Sequence, residues 1–426
     1  MERSGKLSTE ERSWILYDVG NSVFVLVMVT ALMPIFYKDF AASHLSGAIS
    51  TAHWGFANSA ASLVLALLSP LLGAMADYKM RKKYFFVALL CLGLIFTLSL
   101  SFIQQGQWLL CLILFVFARI GWAGANVLYD AFIIDVTSRE RMDSISAKGY
   151  GFGYIGSVVP FAIIIAILYS AGIADGLPIE ATKLGFIVVA LWWGALSLPA
   201  IKHLKQRHYI EPSARPVADS FKRLYETMLE IKKHKQPFLF LAAYFFYIDG
   251  VGTIISMSTA YGRDLGFSIT TLIAVILFIQ IVAFPFTLVF GRLAAVFTTK
   301  TMLFVGIGIY VVITLLAFFL PSIEAPDLRI YAFWLVSFLV ASAMGGIQAL
   351  SRSFYGRLIP PEKSSEFFGF YNVFGKFAAI TGPFLMGLVG GLTGHSRWGV
   401  LSLLFLFVIG AFFLTQVHDT PQSTTV

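Results

Sequence analysis

The chain has 426 residues, of which 58% are hydrophobic and only 13% charged, with a mean hydropathy of +0.80. Soluble domains carry roughly 45–50% apolar and about 25% charged residues, so this composition excludes an ordinary soluble domain and belongs to a membrane protein. The formal net charge of +8 follows membrane topology, as shown below, and is not a nucleic-acid surface.

A run of about 20 apolar residues crosses a ~30 Å hydrocarbon core, and twelve such runs occur. The first, Trp14–Tyr37, follows the leader "MERSGKLSTEER", which mixes both charge signs. The run exceeds a signal core of about 7–15 residues and lacks a small-residue cleavage site, so it is expected to be retained. It carries Asp18 and, three residues on, Asn21 on the same helical face. Such an acid is expensive against lipid and must face the bundle or a water-filled cavity; a packing contact at a neighbouring helix end is the alternative. Next come Ala52–Ala76, Tyr84–Gln104, Trp108–Ile134, Gly149–Ala171 and Leu184–Ile201. Cys91 and Cys111 sit inside the third and fourth runs, so neither disulfides nor cysteine metal sites are expected.

In the fourth run Arg119, Asn126 and Asp130 are spaced by 7 and 11 residues, within about 20° of one line at ~100° per residue. Arg119 lies near mid-membrane, where it needs an acidic or hydrogen-bonding partner, either as a substrate site or as a structural ion pair. After the sixth run comes a polar stretch, 202–236, in which Phe221, Leu224, Tyr225, Met228 and Leu229 form an amphipathic stripe. A helix lying on the membrane surface is the simplest reading. The remaining runs are Phe238–Tyr261, Ile269–Phe297, Thr301–Leu320, Ile330–Leu350, Phe367–Gly391 and Trp398–Gln416. Asp249 in the seventh has Thr253 and Ser256 on its face, and Lys376 in the eleventh has Asn372 one turn earlier. An intramembrane acid is the usual carrier of a proton, which makes Asp249 the first coupling candidate, ahead of Asp18 and Asp130. An Asp249–Lys376 ion pair competes with that role. Gln348 and Arg352 complete the polar set, Arg352 as a gate or a lipid-facing anchor.

Of the 31 Lys and Arg residues, 24 fall in the N-terminal tail and in the loops after even-numbered runs, against five in the other loops. By the positive-inside rule both termini are expected in the cytoplasm. The two halves also resemble each other. "GANVLYDAFIIDVTSRER", 124–141, lies on "GIQALSRSFYGRLIPPEK", 346–363, at an offset of 222, and Pro160-Phe161 lies on Pro383-Phe384 at 223. "YDVGNS" and "YIDGVGT" each set an Asp beside a small polar patch. These repeats predict an all-α membrane protein of twelve transmembrane helices in two pseudo-symmetric six-helix bundles, residues 1–201 and 237–426, joined by a cytoplasmic linker, 202–236. In such plans the substrate site lies near the midplane.

"GAMADYKMRKK", 73–83, resembles the loop signature of the major facilitator superfamily, with Gly73 allowing close helix approach, Asp77 at a helix end and Arg81 in the basic cluster. Tyr78 and Met80 depart from that pattern, where a basic residue and a glycine are usual. Gly73, Asp77, Arg81 and Arg352 are therefore gating candidates. "WILYDVGNS" and "GGIQALSRSFYGRLIPPEKSSEFFGFYNVFGK", 345–376, resemble the branch that includes the vacuolar amino-acid effluxers of autophagy and their bacterial relatives. The resemblance covers essentially the whole chain. It implies the major facilitator fold, alternating access, a cavity lined by helices 1, 4, 7 and 10, and amino acids or similar small metabolites as substrate. It makes Asp18, Asn21, Arg119, Asn126, Asp130, Asp249, Gln348, Asn372 and Lys376 the substrate-binding candidates. Short tails suit a monomeric protein of a bacterial inner membrane. A proton-coupled exporter of amphipathic compounds and a receptor or scaffold that lost transport are the alternatives.

No phosphate-binding loop, no paired histidine ligands and no nucleophile–base arrangement occurs, so neither an enzyme, a cofactor nor a metal site is expected. "GFGYIG", 151–156, falls in the fifth run, where close helix packing accounts for it.

Overall fold

The computed structural model describes residues 6–172, 177–213, 215–229, 234–267 and 269–418. Each of the twelve apolar runs becomes a helix long and apolar enough to cross a membrane. They are numbered here as spans 1 to 12: Thr9–Ala41, Ala52–Ala76, Arg81–Phe102, Trp108–Ala131, Met142–Ser170, Ile179–His203, Lys235–Ser256, Ala274–Phe297, Thr299–Ser322, Pro326–Leu358, Pro361–Thr393 and Ser396–Thr415. This is the only regular architecture in lipid that satisfies its backbone groups within each segment short of a closed barrel.

Span 1 begins five residues before its apolar run. Ser8 caps it, its hydroxyl accepting from Glu11 N at 3.0 Å while Ser8 N donates to the Glu11 carboxylate at 2.8 Å. This reciprocal cap recruits "TEERS" into the helix, so Asp18 lies in its third turn rather than its second. Beyond Val23 the span widens into π-helical turns at Phe24–Ala31 and again at Tyr37–Ala41, around Pro34, which supplies no N–H to the ladder. Span 10 is also longer than its apolar run, 33 residues, or roughly 50 Å at 1.5 Å per residue.

The chain forms two compact units. Unit 1 comprises residues 1–137, 152–221 and 361–369; unit 2 comprises 138–151, 222–360 and 370–426. This differs from a division at the linker in two short pieces, because the first turns of span 11 pack with the N-terminal helices and those of span 5 with the C-terminal helices. Glycines permit both. A methyl at Gly73 would stand 2.1 Å from Ser365 O, and one at Gly291 would stand 2.4 Å from Ala147 Cβ. The two positions sit on spans 2 and 8, so the same close approach is made twice.

The loop between spans 2 and 3 turns through Met80, whose φ of 64° and ψ of 0° are left-handed, and whose side chain is 79% exposed. A left-handed residue with a Cβ costs about 1–2 kcal/mol, which the glycine of the family pattern would avoid. Glycine returns about 0.4–1 kcal/mol through the unfolded chain. Met80→Gly should therefore unfold at a higher temperature than Met80→Ala in detergent, the net gain being on the order of 0.5–1 kcal/mol. Equal melting temperatures would show that this turn is not strained.

Candidate functional site

In unit 1 the membrane-embedded polar groups gather on spans 1 and 4. Asn21 is their centre. Its amide donates to Asp18 Oδ1 at 3.3 Å, and its Oδ1 accepts from Trp122 Nε1 at 3.1 Å and from Asn126 Nδ2 at 3.2 Å. Asp18 and Asn21 are 7% and 4% exposed, as expected where lipid offers no hydrogen bonds. Asn126 Oδ1 has no hydrogen-bond partner among the described residues. Arg119 donates to the side-chain oxygen of Asn58 on span 2, a partner no spacing argument within span 4 can supply. Asp130 is half-buried on the same stripe. Trp14 stacks on Tyr129 at 4.5 Å and Tyr17 lies tilted against Tyr129 at 4.6 Å, all three fully buried, so they pack the start of span 1.

In unit 2 an open hollow of about 260 Å³ is lined by Gln348, Asn372 and Lys376 together with Tyr244, Tyr371 and Gly252. Three of the sequence candidates therefore share one cavity. Tyr244 and Tyr371 stack at 4.2 Å and form its aromatic side. Asp249 does not line it. Its neighbours Ile248 and Val251 do, while the Asp249 carboxylate is fully buried and turns toward span 11. There Asp249 Oδ1 accepts from Gly382 N at 2.8 Å, with Thr253 Oγ1 at 3.5 Å. Asp249 Oδ2 has no hydrogen-bond partner among the described residues, and none of the described ion pairs includes Asp249. Gly382 matters because a methyl there would stand 2.6 Å from Asp249 Oδ1 and 2.0 Å from Thr253 Oγ1. Ser256, on the same span, donates to Thr253 O instead.

The gating candidates fall into two clusters at the ends of spans. In unit 1 the Asp77 carboxylate accepts from Ser365 N at 2.8 Å and Glu366 N at 3.0 Å, so it caps the first turn of span 11. Beside it Lys82 is fully buried, bonded to Asp135 Oδ2 at 2.7 Å and Ser364 Oγ at 2.8 Å. Asp135 Oδ1 in turn takes Arg207 N, His208 N and His208 Nδ1 at 2.9, 2.9 and 3.1 Å. Burial would raise the Asp135 acid, but Lys82 and His208 outweigh it and hold it below the usual carboxylate range. The linker is stitched to the same place: Ile210 N donates to Asp77 O and Lys79 N to Ile210 O. Arg81 is exposed and makes no described side-chain contact.

In unit 2 Arg352 is 2% exposed, so it is no lipid-facing anchor. Its guanidinium donates to Ser146 Oγ at 3.0 Å and Ser146 O at 3.1 Å and stacks over Tyr150 at 4.3 Å. Next to it Asp143 pairs with Arg357 at 2.8 Å and accepts from Thr299 Oγ1 at 2.6 Å. Asn58, Trp122, Lys82, Asp135, Asp143 and Gly382 were not singled out in the sequence. Asp135 and Asp143 flank the basic loop "TSRER" and read there as loop charge, and Lys82 belongs to the basic cluster of 73–83; the others carry no local signal.

Asp77 lies between spans, and burial pushes its carboxyl up to about 7 against the opposing pull of Lys82 and the two backbone N–H groups. A carboxyl raised above its unfolded value near 3.9 contributes stability that is fully present below that value and is lost as pH rises through about 7. Asp77→Asn removes this titration. The melting temperature of wild type minus that of Asp77→Asn should therefore become more positive as pH falls from 8 to 5. A difference that does not change with pH would show that Asp77 titrates as an ordinary surface acid.

Comparison with known proteins agrees with this architecture. The family model described as vacuole effluxer Atg22 like matches residues 48–424. An uncharacterized MFS-type transporter of Bacillus subtilis (strain 168), YxiO, is 46% identical over 424 residues, covering 99% of this chain and 96% of its own. Autophagy-related protein 22-1 of Sclerotinia sclerotiorum is 26% identical over 323 residues, covering 68% of this chain and 52% of its own, so the match spans about half of that fungal protein. The major facilitator transporter FucP in its outward conformation shares the fold with a TM-score of 0.71 at 14% identity, over 97% of this chain and 98% of that one. Twelve membrane-crossing helices, two repeated units and a family match over nearly the whole chain identify a multi-pass transporter rather than an enzyme, and the chain belongs to the Atg22-like family of the major facilitator superfamily.

Proposed function

We propose that this protein is a proton-coupled secondary transporter that moves amino acids or similarly small zwitterionic metabolites by alternating access. One observation carries the reading: a fully buried Asp249 whose second carboxylate oxygen lacks a hydrogen bond, on the span that walls a hollow bearing Lys376, Asn372 and Gln348. The hollow offers a cation and two amides, which match a carboxylate and an amine on one small molecule. Asp249 is set apart from them and bonded to the span that carries Lys376, so its protonation changes a helix contact without occupying the substrate. Asp77 and Arg352, each buried at a span end, are the proposed gate residues. The Lys and Arg asymmetry supports cytoplasmic termini; the protein works as a monomer in a bacterial inner membrane. The Tyr244–Tyr371 stack favours a second reading, export of amphipathic compounds, which flux assays with both ligand classes separate.

Proteoliposomes with an imposed proton gradient test the coupling. Asp249→Asn should abolish accumulation of the amino acid while retaining counterflow, because counterflow needs no net proton cycle. Gly382→Ala should do the same by displacing the carboxylate. If both variants still concentrate substrate, Asp249 is structural, and Asp18 or Asp130 becomes the coupling acid.

Arg119 and Lys376 are the two intramembrane cations proposed to receive the substrate carboxylate. A guanidinium offers two parallel hydrogen bonds, and lysine lacks that planar fork. Arg119→Lys should weaken binding and Arg119→Gln should nearly remove it, as should Lys376→Gln if the ammonium shares the task. The amino acid giving the largest thermal shift serves as probe, beside its carboxamide. The carboxamide should bind wild type poorly and lose little further in either Gln variant. Equal losses for acid and amide, in folded protein, would make the mutated residue a packing partner only.

A further inference from the structure

The linker helix Pro216–Leu229 takes no part in the contacts above. Val217, Phe221 and Tyr225 recur at every fourth position and so occupy one arc about 80° wide. They are 49%, 56% and 66% exposed, whereas Ser220 and Thr227 on another face are 0% and 1% exposed. A helix that hides its hydroxyls and displays its aromatic residues is arranged for an apolar surrounding. It is held at its start by Ser213, whose hydroxyl donates to Asp219 and accepts from Arg215 N at 3.0 Å.

Two facts say what covers that arc. The helix is tied to membrane-crossing spans on both sides, by twelve residues from His203 and by five to Lys235, which keeps it within reach of the bilayer surface. The stretch 202–236 holds nine Lys and Arg against four Asp and Glu. Lys222 borders the arc and among the described residues pairs with Glu226 at 3.8 Å, both side chains more than half exposed; such a pair contributes little. Arg215 is exposed just before the helix.

We propose that this helix is a docking element for anionic lipid, with Val217, Phe221 and Tyr225 seated at the headgroup–acyl boundary and Arg215 and Lys222 on the phosphates. Aromatic side chains favour that boundary, and each basic residue near an anionic surface raises occupancy about fivefold. The helix is then a sensor of leaflet charge attached directly to both halves of the transporter.

A nitroxide at Phe221→Cys, in full-length protein carrying Cys91→Ser and Cys111→Ser, reports the seating. The probe surfaces are vesicles of phosphatidylcholine alone and of equimolar phosphatidylcholine and phosphatidylglycerol. In the anionic vesicles the label should collide readily with oxygen and poorly with a water-soluble nickel chelate. Neutral vesicles should reverse this preference, and Arg215→Gln with Lys222→Gln should shift it by on the order of tenfold. Three outcomes overturn the proposal. Chelate access in both vesicles means a solvated face, oxygen access in both means burial without charge recognition, and shielding from both reagents means a protein covers the stripe.

Discussion

The first turn of a helix presents backbone N–H groups with no partner in the helix, and where that turn is buried from water, as at Ser365 and Glu366, the protein itself must satisfy them. In unit 1 a single carboxylate does this for span 11. Asp77 accepts from Ser365 and Glu366, and it reaches them only because Gly73, one turn earlier, has no side chain to hold the helices apart. Lys82, Asp135 and the linker strand around Ile210 then assemble about that contact. The result is a buried network, not a surface ion pair. Removing either charge of Lys82–Asp135 leaves the other uncompensated, which in a buried pair costs about 3–5 kcal/mol.

The second unit repeats the geometry with other chemistry. Gly291 allows the same close approach, yet Ala295 stands where the repeat has Asp77, and Arg357 stands where it has Asp135. The acid of that cluster comes instead from Asp143, at the start of span 5. Burial moves Asp77 up to about 7, while Asp135, in the same unit, is held low by Lys82 and His208. Adjacent acids in one network are thereby separated into one that titrates near neutrality and one that stays charged.

The polar groups within the membrane follow a similar division of labour. Asn21 joins Asp18, Trp122 and Asn126 into one hydrogen-bonded network. Lys376, Asn372 and Gln348 open onto a hollow, and Asp249 is withdrawn from it against Gly382. A ligand-facing set and a secluded acid thus lie on adjoining helices, the arrangement on which the proposed proton coupling rests.

Sequence alone determined the span number and the repeat, because bilayer thickness sets helix length, and it picked out the charges inside the apolar runs, because burying a charge in lipid is costly. It also marked Gly73 and Asp77, whose spacing along one helix is local information. It did not determine partners. Asn58 for Arg119, Gly382 for Asp249, and Ser365 and Glu366 for Asp77 lie 61, 133 and 288–289 residues away, and helical periodicity carries no register between helices. The first turns of spans 5 and 11 were likewise beyond it: hydropathy shows that a helix starts there, but only packing against Gly291 and Gly73 decides which unit receives it.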